Sequence, residues 1–178
     1  STLEFAAITP QQASESNKGD LEKLTKIIIG GGNVNNLLSS KLSEINSSFY
    51  STYGTTETCS HIALKNISKG EQFFRTLKGV SVSLNKRDCL TVNAPELSPN
   101  LIQTNDIVEL ISKSKFIWKG RFDNVINSGG IKLFPEEIEE KLLPYISSRF
   151  FISKEEDNTL GEKLILIIES EDEFKLNL

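Results

Sequence analysis

The sequence predicts an α/β fold in two parts, and three observations carry that reading. Ile27-Ile28-Ile29, the helical spacing of Leu37, Leu38, Lys41, Leu42 and Ile45, and Phe49–Tyr53 give strand, helix and strand in succession, the unit of an α/β layer. After His61, short apolar runs alternate with turn residues, which predicts a smaller antiparallel or barrel-like group of strands. From Gly120 a new block begins, with a helix start at Pro135 among short strand-like runs, as in an α+β domain.

Taken in order, Thr9-Pro10 reads as an N-cap followed by proline at the first helical position. Residues 14–20 are polar and loop-like. The isoleucine run is β-branched and ends in Gly30-Gly31-Gly32, so a buried strand enters a tight loop. The next helix carries one amphipathic stem, Lys41, on its apolar stripe. Gly54 stops the second strand. Val80–Leu84, Leu90–Ala94, Ile107–Leu110 and Phe116–Trp118 are the expected short strands. Glu136 and Glu137 stand in the first turn of the Pro135 helix, favourable against its dipole, and Ile138, Leu142 and Leu143 form its apolar face. Phe150–Ile152 and Leu164–Ile168 read as strands. A domain boundary is expected near Arg121–Asp123.

Composition narrows the function. Hydrophobic residues make up 38% and charged residues 25%, the balance of a chain that folds. The formal net charge is -4 and no basic stripe appears, which argues against nucleic acid as a partner. Cys59 and Cys89 stand in unrelated contexts and match neither a disulfide framework nor a zinc site, so a reducing cytoplasm is the expected location. The longest apolar run, near Leu164–Ile168, is strand-sized, and no membrane association is expected. The chain opens without Met inside the apolar segment Leu3–Ile8, and it is expected to be a piece of a longer protein.

Four stretches carry chemistry. In Tyr53-Gly54-Thr55-Thr56-Glu57 a strand ends, glycine turns the backbone, and two hydroxyls and a carboxylate follow. Hydroxyls and exposed N–H groups hold phosphate oxygens, and a neighbouring glutamate can ligate the Mg2+ of a nucleotide. Read alone, the five residues are better accounted for as a capped turn with Thr55 or Thr56 as the N-cap. Gly30, Gly31 and Gly32 permit close approach of a flat ligand, although neither a P-loop nor the dinucleotide fingerprint is present. Asp106, in Thr104-Asn105-Asp106, can accept from ribose hydroxyls, or can simply close an Asx turn. Gly120-Arg121-Phe122-Asp123, Gly129-Gly130-Ile131-Lys132 and the Pro135 helix combine a guanidinium, two adjacent glycines and a mobile cation. Each part has a plain structural reading: hairpin, glycine turn, capped helix and a surface ion pair. The combination does not. His61 stands alone, with no Cys-His or Ser-His-Asp pattern around it.

These blocks, in this order, resemble the adenylate-forming superfamily of acyl-CoA ligases, peptide-synthetase adenylation domains and beetle luciferases. Tyr53–Glu57 matches its Tyr-Gly-x-Thr-Glu motif, and Thr104–Asp106 stands where Thr-Gly-Asp is usual. Gly120–Lys132 matches Gly-Arg-x-Asp-x-x-Ile…Gly-Gly-x-Lys, followed by Pro-x-Glu-Ile-Glu. Within the superfamily, Ser51–Ile62, Thr104–Asp106 and Asn127–Gly130 are similar to the o-succinylbenzoate–CoA ligases of menaquinone biosynthesis. The resemblance implies the end of a large α/β AMP-binding domain with a small β subdomain (residues 1–121), then the start of a small mobile α+β domain (residues 122–178). It implies two steps. A carboxylate attacks the α-phosphate of ATP and pyrophosphate leaves; the thiol of coenzyme A then attacks the acyl carbon and AMP leaves, a far better leaving group than oxide.

Residue by residue, the resemblance assigns Thr56 to phosphate contact, Glu57 to Mg2+, Tyr53 to packing beside adenine, and Gly30–Gly32 to the adenine and acyl pocket. Gly54 and Thr55 complete the nucleotide loop. Asp106 and Arg121 correspond to ribose contacts and Asp123 to the hinge between half-reactions. Gly129, Gly130 and Lys132 correspond to the loop beside the pantetheine path. Ser60 and His61 are placed in the acyl pocket by proximity. Asn105 departs from the family glycine. The family's Gly/Ser/Thr-rich phosphate loop and its C-terminal Gly-Lys lysine are expected outside this chain; Lys132 is not that lysine, and the piece alone is expected to be less than a complete enzyme. Two other readings stand beside this one: another acyl-CoA ligase or adenylation domain, and a non-catalytic ligand-binding or interaction module. Missing upstream strands predict an exposed sheet edge and a homodimer of the piece.

Overall fold

The computed structural model describes residues 3–169. The chain divides into two compact units that meet between Trp118 and Lys119.

The first unit is built on a nine-stranded sheet. Strand β1 (Leu3–Ile8) pairs in parallel with β2 (Leu24–Ile29), and β2 pairs in parallel with β3 (Ser48–Gly54). Parallel neighbours require crossovers. Helix α1 (Pro10–Glu15) starts on a capping box in which Thr9 and Gln12 exchange side-chain and backbone hydrogen bonds, with Pro10 at the first turn as expected. Helix α3 (Asn36–Ser43) is capped by Asn35, whose side chain accepts from the Leu38 amide at 2.8 Å. The polar stretch expected as a loop contains the end of α1 and the short helix α2 (Lys18–Leu21). Asn17 caps α2 by accepting from the Asp20 amide at 2.9 Å, so the polar residues that read as loop formers act as caps.

Ile27, Ile29 and Phe49 are fully buried, packed with Leu38, Leu42 and Ala13 of the helices. Complete burial of such side chains is worth about 1.5–3 kcal/mol each. Their neighbours Ile28 and Tyr50 point to the opposite face and are half-buried.

The sheet changes character at β3. Strand β4 (His61–Asn66) runs antiparallel to β3, and β5 (Phe74–Thr76), β9 (Lys115–Arg121), β8 (Ile102–Ser112), β7 (Cys89–Asn93) and β6 (Ser81–Leu84) follow across the sheet in that order. The antiparallel strands expected after His61 are present, and they continue the parallel strands in one sheet. The Val82 amide donates to the Lys113 carbonyl at 2.8 Å, which brings β6 to the turn between β8 and β9 and curls this half. Phe116, Leu90, Val92 and Ala63 fill the interior, with Tyr53, Phe74 and Phe116 as an aromatic cluster.

The second unit carries a four-stranded antiparallel sheet in the order β11 (Ile131–Leu133), β10 (Ile126–Ser128), β13 (Gly161–Ile168), β12 (Phe150–Asp157). Gly129 and Gly130 form the two-residue loop between β10 and β11, with φ of 57° and 83°. Both angles lie in the left-handed region that a type I′ hairpin turn demands, which accounts for the paired glycines. Helix α4 (Pro135–Leu142) starts as expected with Pro135, Glu136 and Glu137. The Glu139 carboxylate accepts from the Ile152 amide at 2.7 Å and ties the helix to β12.

Candidate functional site

Gly30 and Gly54 end the adjacent strands β2 and β3, and each is required by what lies against it. A Cβ on Gly30 would stand 2.7 Å from Thr52 Oγ1. A Cβ on Gly54 would overlap the Ser60 carbonyl oxygen and come within 2.7 Å of His61 Cα. These contacts let the segment after β3 fold back closely over the strand ends. The result is a cleft of about 340 Å³ lined by Ala7, Ile8, Thr9, Gln12, Ile28, Gly30, Thr52, Ser60 and His61. Gly30, Ser60 and His61 were singled out in sequence and share this cleft. Ser60 Oγ and His61 Nδ1 lie 3.3 Å apart. Among the residues that line the cleft, none is a carboxylate, lysine or arginine.

Thr55, Thr56 and Glu57 follow directly. Residues Thr56–Thr58 form one 3₁₀ turn with Thr55 at its N-terminal cap position. Buried Thr58 holds the loop: its hydroxyl accepts from the Thr55 amide at 2.9 Å and reaches the carbonyls of Thr55 and Ser60 at 3.0 and 2.8 Å. Thr58 had no role in the sequence reading. Thr55 Oγ1 is buried without a hydrogen-bond partner among the described residues. Thr56 and Glu57 are exposed, and Cys59 adopts a left-handed φ of 58° at the end of the turn. No cluster of three or more His, Cys, Asp or Glu suited to a metal occurs among the described residues. A single exposed carboxylate beside hydroxyls is nevertheless the donor set on which Mg2+ is carried by substrate phosphates and water. On that ground Glu57 fits Mg2+, as a ligand that would share the ion with phosphate.

Asp106 lies inside β8. Asn105 has ordinary strand geometry, which is why an asparagine serves where the family shows glycine. Asp106 as a residue is 4% exposed. Tyr53 donates its hydroxyl to Asp106 Oδ2 at 2.6 Å, and Trp118 donates its indole N–H to Oδ1 at 3.2 Å. The Asp106 amide donates to Thr104 Oγ1 at 3.1 Å, and Thr104 donates onward to the Leu90 carbonyl at 2.9 Å. Two motif blocks 53 residues apart in sequence thus meet through one hydrogen bond. Tyr53 itself packs at 5.0 Å and 78° on Phe116 and at 5.7 Å on Phe74. Trp118 is a further contributor that sequence reasoning missed: the strand Phe116–Trp118 was legible, but not what its indole would touch.

In the second unit, Arg121 and Asp123 form an exposed ion pair at 3.8 Å, of the kind worth little. Glu136 accepts from the Arg121 amide at 3.3 Å and from Asn124 Nδ2 at 2.7 Å. Its other oxygen, Oε2, is buried without a hydrogen-bond partner among the described residues. Gly120, at φ 153°, is required because a Cβ there would collide with that carboxylate. Gly129 and Gly130 turn the β10–β11 hairpin, and the Gly129 amide donates to the Leu160 carbonyl at 2.9 Å. Lys132 is exposed on β11. Asp123 and Glu136 line a cleft of about 380 Å³ with Ile126, Glu139, Phe151 and Lys154.

Two curated relatives align with most of this chain. The 2-succinylbenzoate–CoA ligase of Haemophilus influenzae is 24% identical over 163 residues, 83% of this chain and 36% of the relative. The 2-succinylbenzoate–CoA ligase of Lactococcus lactis subsp. lactis is 29% identical over 165 residues, 82% of this chain and 36% of the relative. Among solved structures, an acyl-CoA synthetase (AMP-forming)/AMP-acid ligase II-like protein from Dyadobacter fermentans is 33% identical. It superposes with a TM-score of 0.64 over 97% of this chain and 52% of its own. The chain has the fold of the AMP-forming ligases. The o-succinylbenzoate coenzyme A synthetase of Bacillus subtilis, solved in complex with ATP and magnesium ion, shares that ligase fold. Its TM-score is 0.76 at 19% identity, over 93% of this chain and 42% of its own. No family model matches the chain. Both sets of relatives return to the superfamily that the motif blocks resemble, and this ligase-fold chain spans about a third of the curated relatives' length.

Proposed function

We propose that this chain forms the nucleotide-binding part of an ATP-dependent carboxylate–CoA ligase acting on o-succinylbenzoate. The observation that carries the reading is the Tyr53–Asp106 hydrogen bond, which joins two of the blocks that resemble the nucleotide motifs. In this reading Gly30–Gly32 and Tyr53 serve adenine, and Asp106 and, separately, Arg121 are assigned to ribose. The α-phosphate would be held at Thr55 and Thr56, and Glu57 would hold Mg2+, whose charge would offset that of the phosphates. The acyl group extends toward Ser60 and His61. The carboxylate oxygen attacks the α-phosphorus and pyrophosphate departs; coenzyme A sulfur then attacks the acyl carbon and AMP departs. Asp123 serves as the hinge, and Gly129, Gly130 and Lys132 line the path of the thiol. The boundary is taken at residues 121–122.

Support comes from the curated relatives' names and from the Bacillus subtilis structure, which holds ATP and magnesium ion. The two cysteines are unbridged, which fits a cytoplasmic location, and no helix among the described residues is long and apolar enough to cross a membrane. Edge strand β1 is proposed to pair with a second copy when the chain is isolated; a monomer mass by light scattering removes that part.

The test is pyrophosphate release by the protein that carries this chain, with ATP, Mg2+ and a panel of carboxylic acids. Preference for o-succinylbenzoate, lost in Glu57→Ala, supports the reading. Release with another acid alone keeps the ligase and removes o-succinylbenzoate. No release with any acid overturns the enzyme reading.

A further inference from the structure

We infer that Thr58 is a positioning residue for the nucleotide loop: its buried hydroxyl closes residues 55–60 into a ring that sets Thr56 and Glu57 in place for a phosphate-bound Mg2+. The inference rests on the proposed reading of Glu57 as a ligand of that ion.

The loop follows a path that local preferences do not favour. It returns onto its own start, since a Cβ on Gly54 would overlap the Ser60 carbonyl oxygen. Cys59 sits at φ 58°, in the left-handed region that a residue with a Cβ rarely enters. Thr55 stands at the N-terminal cap position, yet its Oγ1 is buried without a hydrogen-bond partner among the described residues. Backbone bonds within the loop are short in span: the Thr58 amide donates to the Thr55 carbonyl at 3.2 Å, the Cys59 amide to the Thr56 carbonyl at 3.1 Å, and the Ser60 amide to the Thr58 carbonyl at 2.6 Å.

Thr58 supplies the longer closure. The residue is 1% exposed. Its hydroxyl accepts from the Thr55 amide at 2.9 Å and lies 3.0 and 2.8 Å from the carbonyl oxygens of Thr55 and Ser60. A hydroxyl carries one proton, so it donates to one of the two carbonyls at a time while it accepts from the amide. Both ends of the loop are therefore held at one buried atom, where water has little access to replace it. Thr56 and Glu57 lie between those ends and are exposed. The ring thus fixes where they stand relative to Ser60 and His61, which line the cleft. Ordering a loop on binding weakens affinity, and a loop already closed avoids that cost. The alternative is that Thr58 only stabilises the fold. The two ideas part on the metal: a general stabiliser affects every form of the nucleotide equally, whereas a placed carboxylate matters only when Mg2+ accompanies it.

Equilibrium binding of ATP, with Mg2+ and with EDTA, to the protein that carries this chain reads that difference. The unaltered protein should bind ATP about tenfold more tightly with Mg2+, the scale of one contact to a charged group. Glu57→Gln should bring the ratio close to one. Thr58→Val, which keeps the shape and removes the hydroxyl, should do the same, while Thr58→Ser, which keeps the hydroxyl, should preserve the ratio. An unaltered protein that binds both forms equally, or neither, or a Glu57→Gln variant that keeps the ratio, overturns the metal reading of Glu57 and this inference with it. With that reading upheld, a Thr58→Val variant that keeps the ratio or weakens both forms alike, or a Thr58→Ser variant that loses the ratio, overturns this inference alone. Should Thr58→Val not fold, hydrogen exchange of the Thr55 amide in the unaltered, ligand-free protein decides: protection is expected, and exchange at the rate of an open loop is the refuting result.

Discussion

Replacing Tyr53 by phenylalanine removes one oxygen atom and keeps the ring. The ring is what touches Phe74 and Phe116, at 5.7 and 5.0 Å between centroids, so the aromatic packing survives. What is lost is the 2.6 Å bond to Asp106, whose residue is 4% exposed and whose tyrosine partner is 8% exposed. A hydrogen bond to a charged group contributes about 1.5–3 kcal/mol, and a buried acceptor deprived of its donor retains its desolvation penalty. Water has little access to replace the hydroxyl, so the upper half of that range applies, about 2–3 kcal/mol. With a urea dependence of about 1–3 kcal/mol per molar, the unfolding midpoint of the first unit should fall by about 1 M. Trp118 is the only tryptophan in the chain and belongs to this unit, so its fluorescence follows the relevant transition without a contribution from the second unit. Asp106→Asn should also destabilise, and the double variant should cost less than the sum, because both changes remove the same bond. A Tyr53→Phe midpoint within about 0.2 M of the unaltered chain would refute the claim that this bond stabilises the junction of β3 and β8.

Gly54→Ala should destabilise the first unit by about 1–3 kcal/mol, because the new Cβ meets backbone of Ser60 and His61 that cannot rotate away; thermal unfolding checks it, and an unchanged Tm would mean that the 55–60 loop shifts without cost. In the second unit, Lys154 and then the Asn127 amide hold the Glu162 carboxyl below its usual range, and the Leu160 and Thr159 amides do the same for Asp157. Folded-state values below the unfolded ones mean that both groups stabilise the fold above the ordinary carboxylate range and lose that contribution as pH falls through the lowered values. The amide proton of Asn127, followed by NMR from neutral to acid pH, should therefore titrate below the ordinary glutamate value of about 4.3, and the titration should vanish in Glu162→Gln. A midpoint at or above the ordinary value would contradict the Lys154–Glu162–Asn127 bridge.

Local chemistry was legible where a single residue type decides the backbone. Thr9-Pro10 gave the start of α1, three isoleucines gave β2, and Gly129-Gly130 gave a turn whose angles only glycine adopts freely. Less legible were the elements that depend on a distant partner. Strands β4 and β5 carry His61, Lys65, Arg75 and Thr76 among their apolar residues, so no clean alternation marks them. They are strands because β3 and β9 supply their hydrogen bonds. Residues 14–20 read as loop because Asn17 and Asp20 favour turns, yet the same preference makes Asn17 the cap of α2. Within the site, Asp106 was found as a residue type, but its setting was not. Its surroundings come from Tyr53, 53 positions upstream, and Trp118, 12 positions downstream, and only the sheet order brings them together.

The position of the cleft follows from the same sheet. In an open sheet with parallel strands, ligand crevices lie outside the carboxyl ends of the strands, bordered by the segments that leave them. Strands β1, β2 and β3 are parallel; the ends of β1 and β2 at Ile8 and Ile29 lie in register with Ser51 of β3, which runs on to Gly54. The chain leaves β1 into the Thr9 cap of α1 and leaves β2 through Gly30–Gly32. It leaves β3 by an antiparallel return to β4, the point at which the sheet changes from parallel to antiparallel. A helix cap, a glycine loop and a tight return therefore border one opening, and Thr9, Gly30, Thr52, Ser60 and His61 line it. The glycines are the condition for that convergence: side chains at Gly30 and Gly54 would push Thr52 and the Ser60–His61 backbone outward. The cleft is thus a property of how three strands end, which is why residues that each read as a simple turn in sequence together form one site.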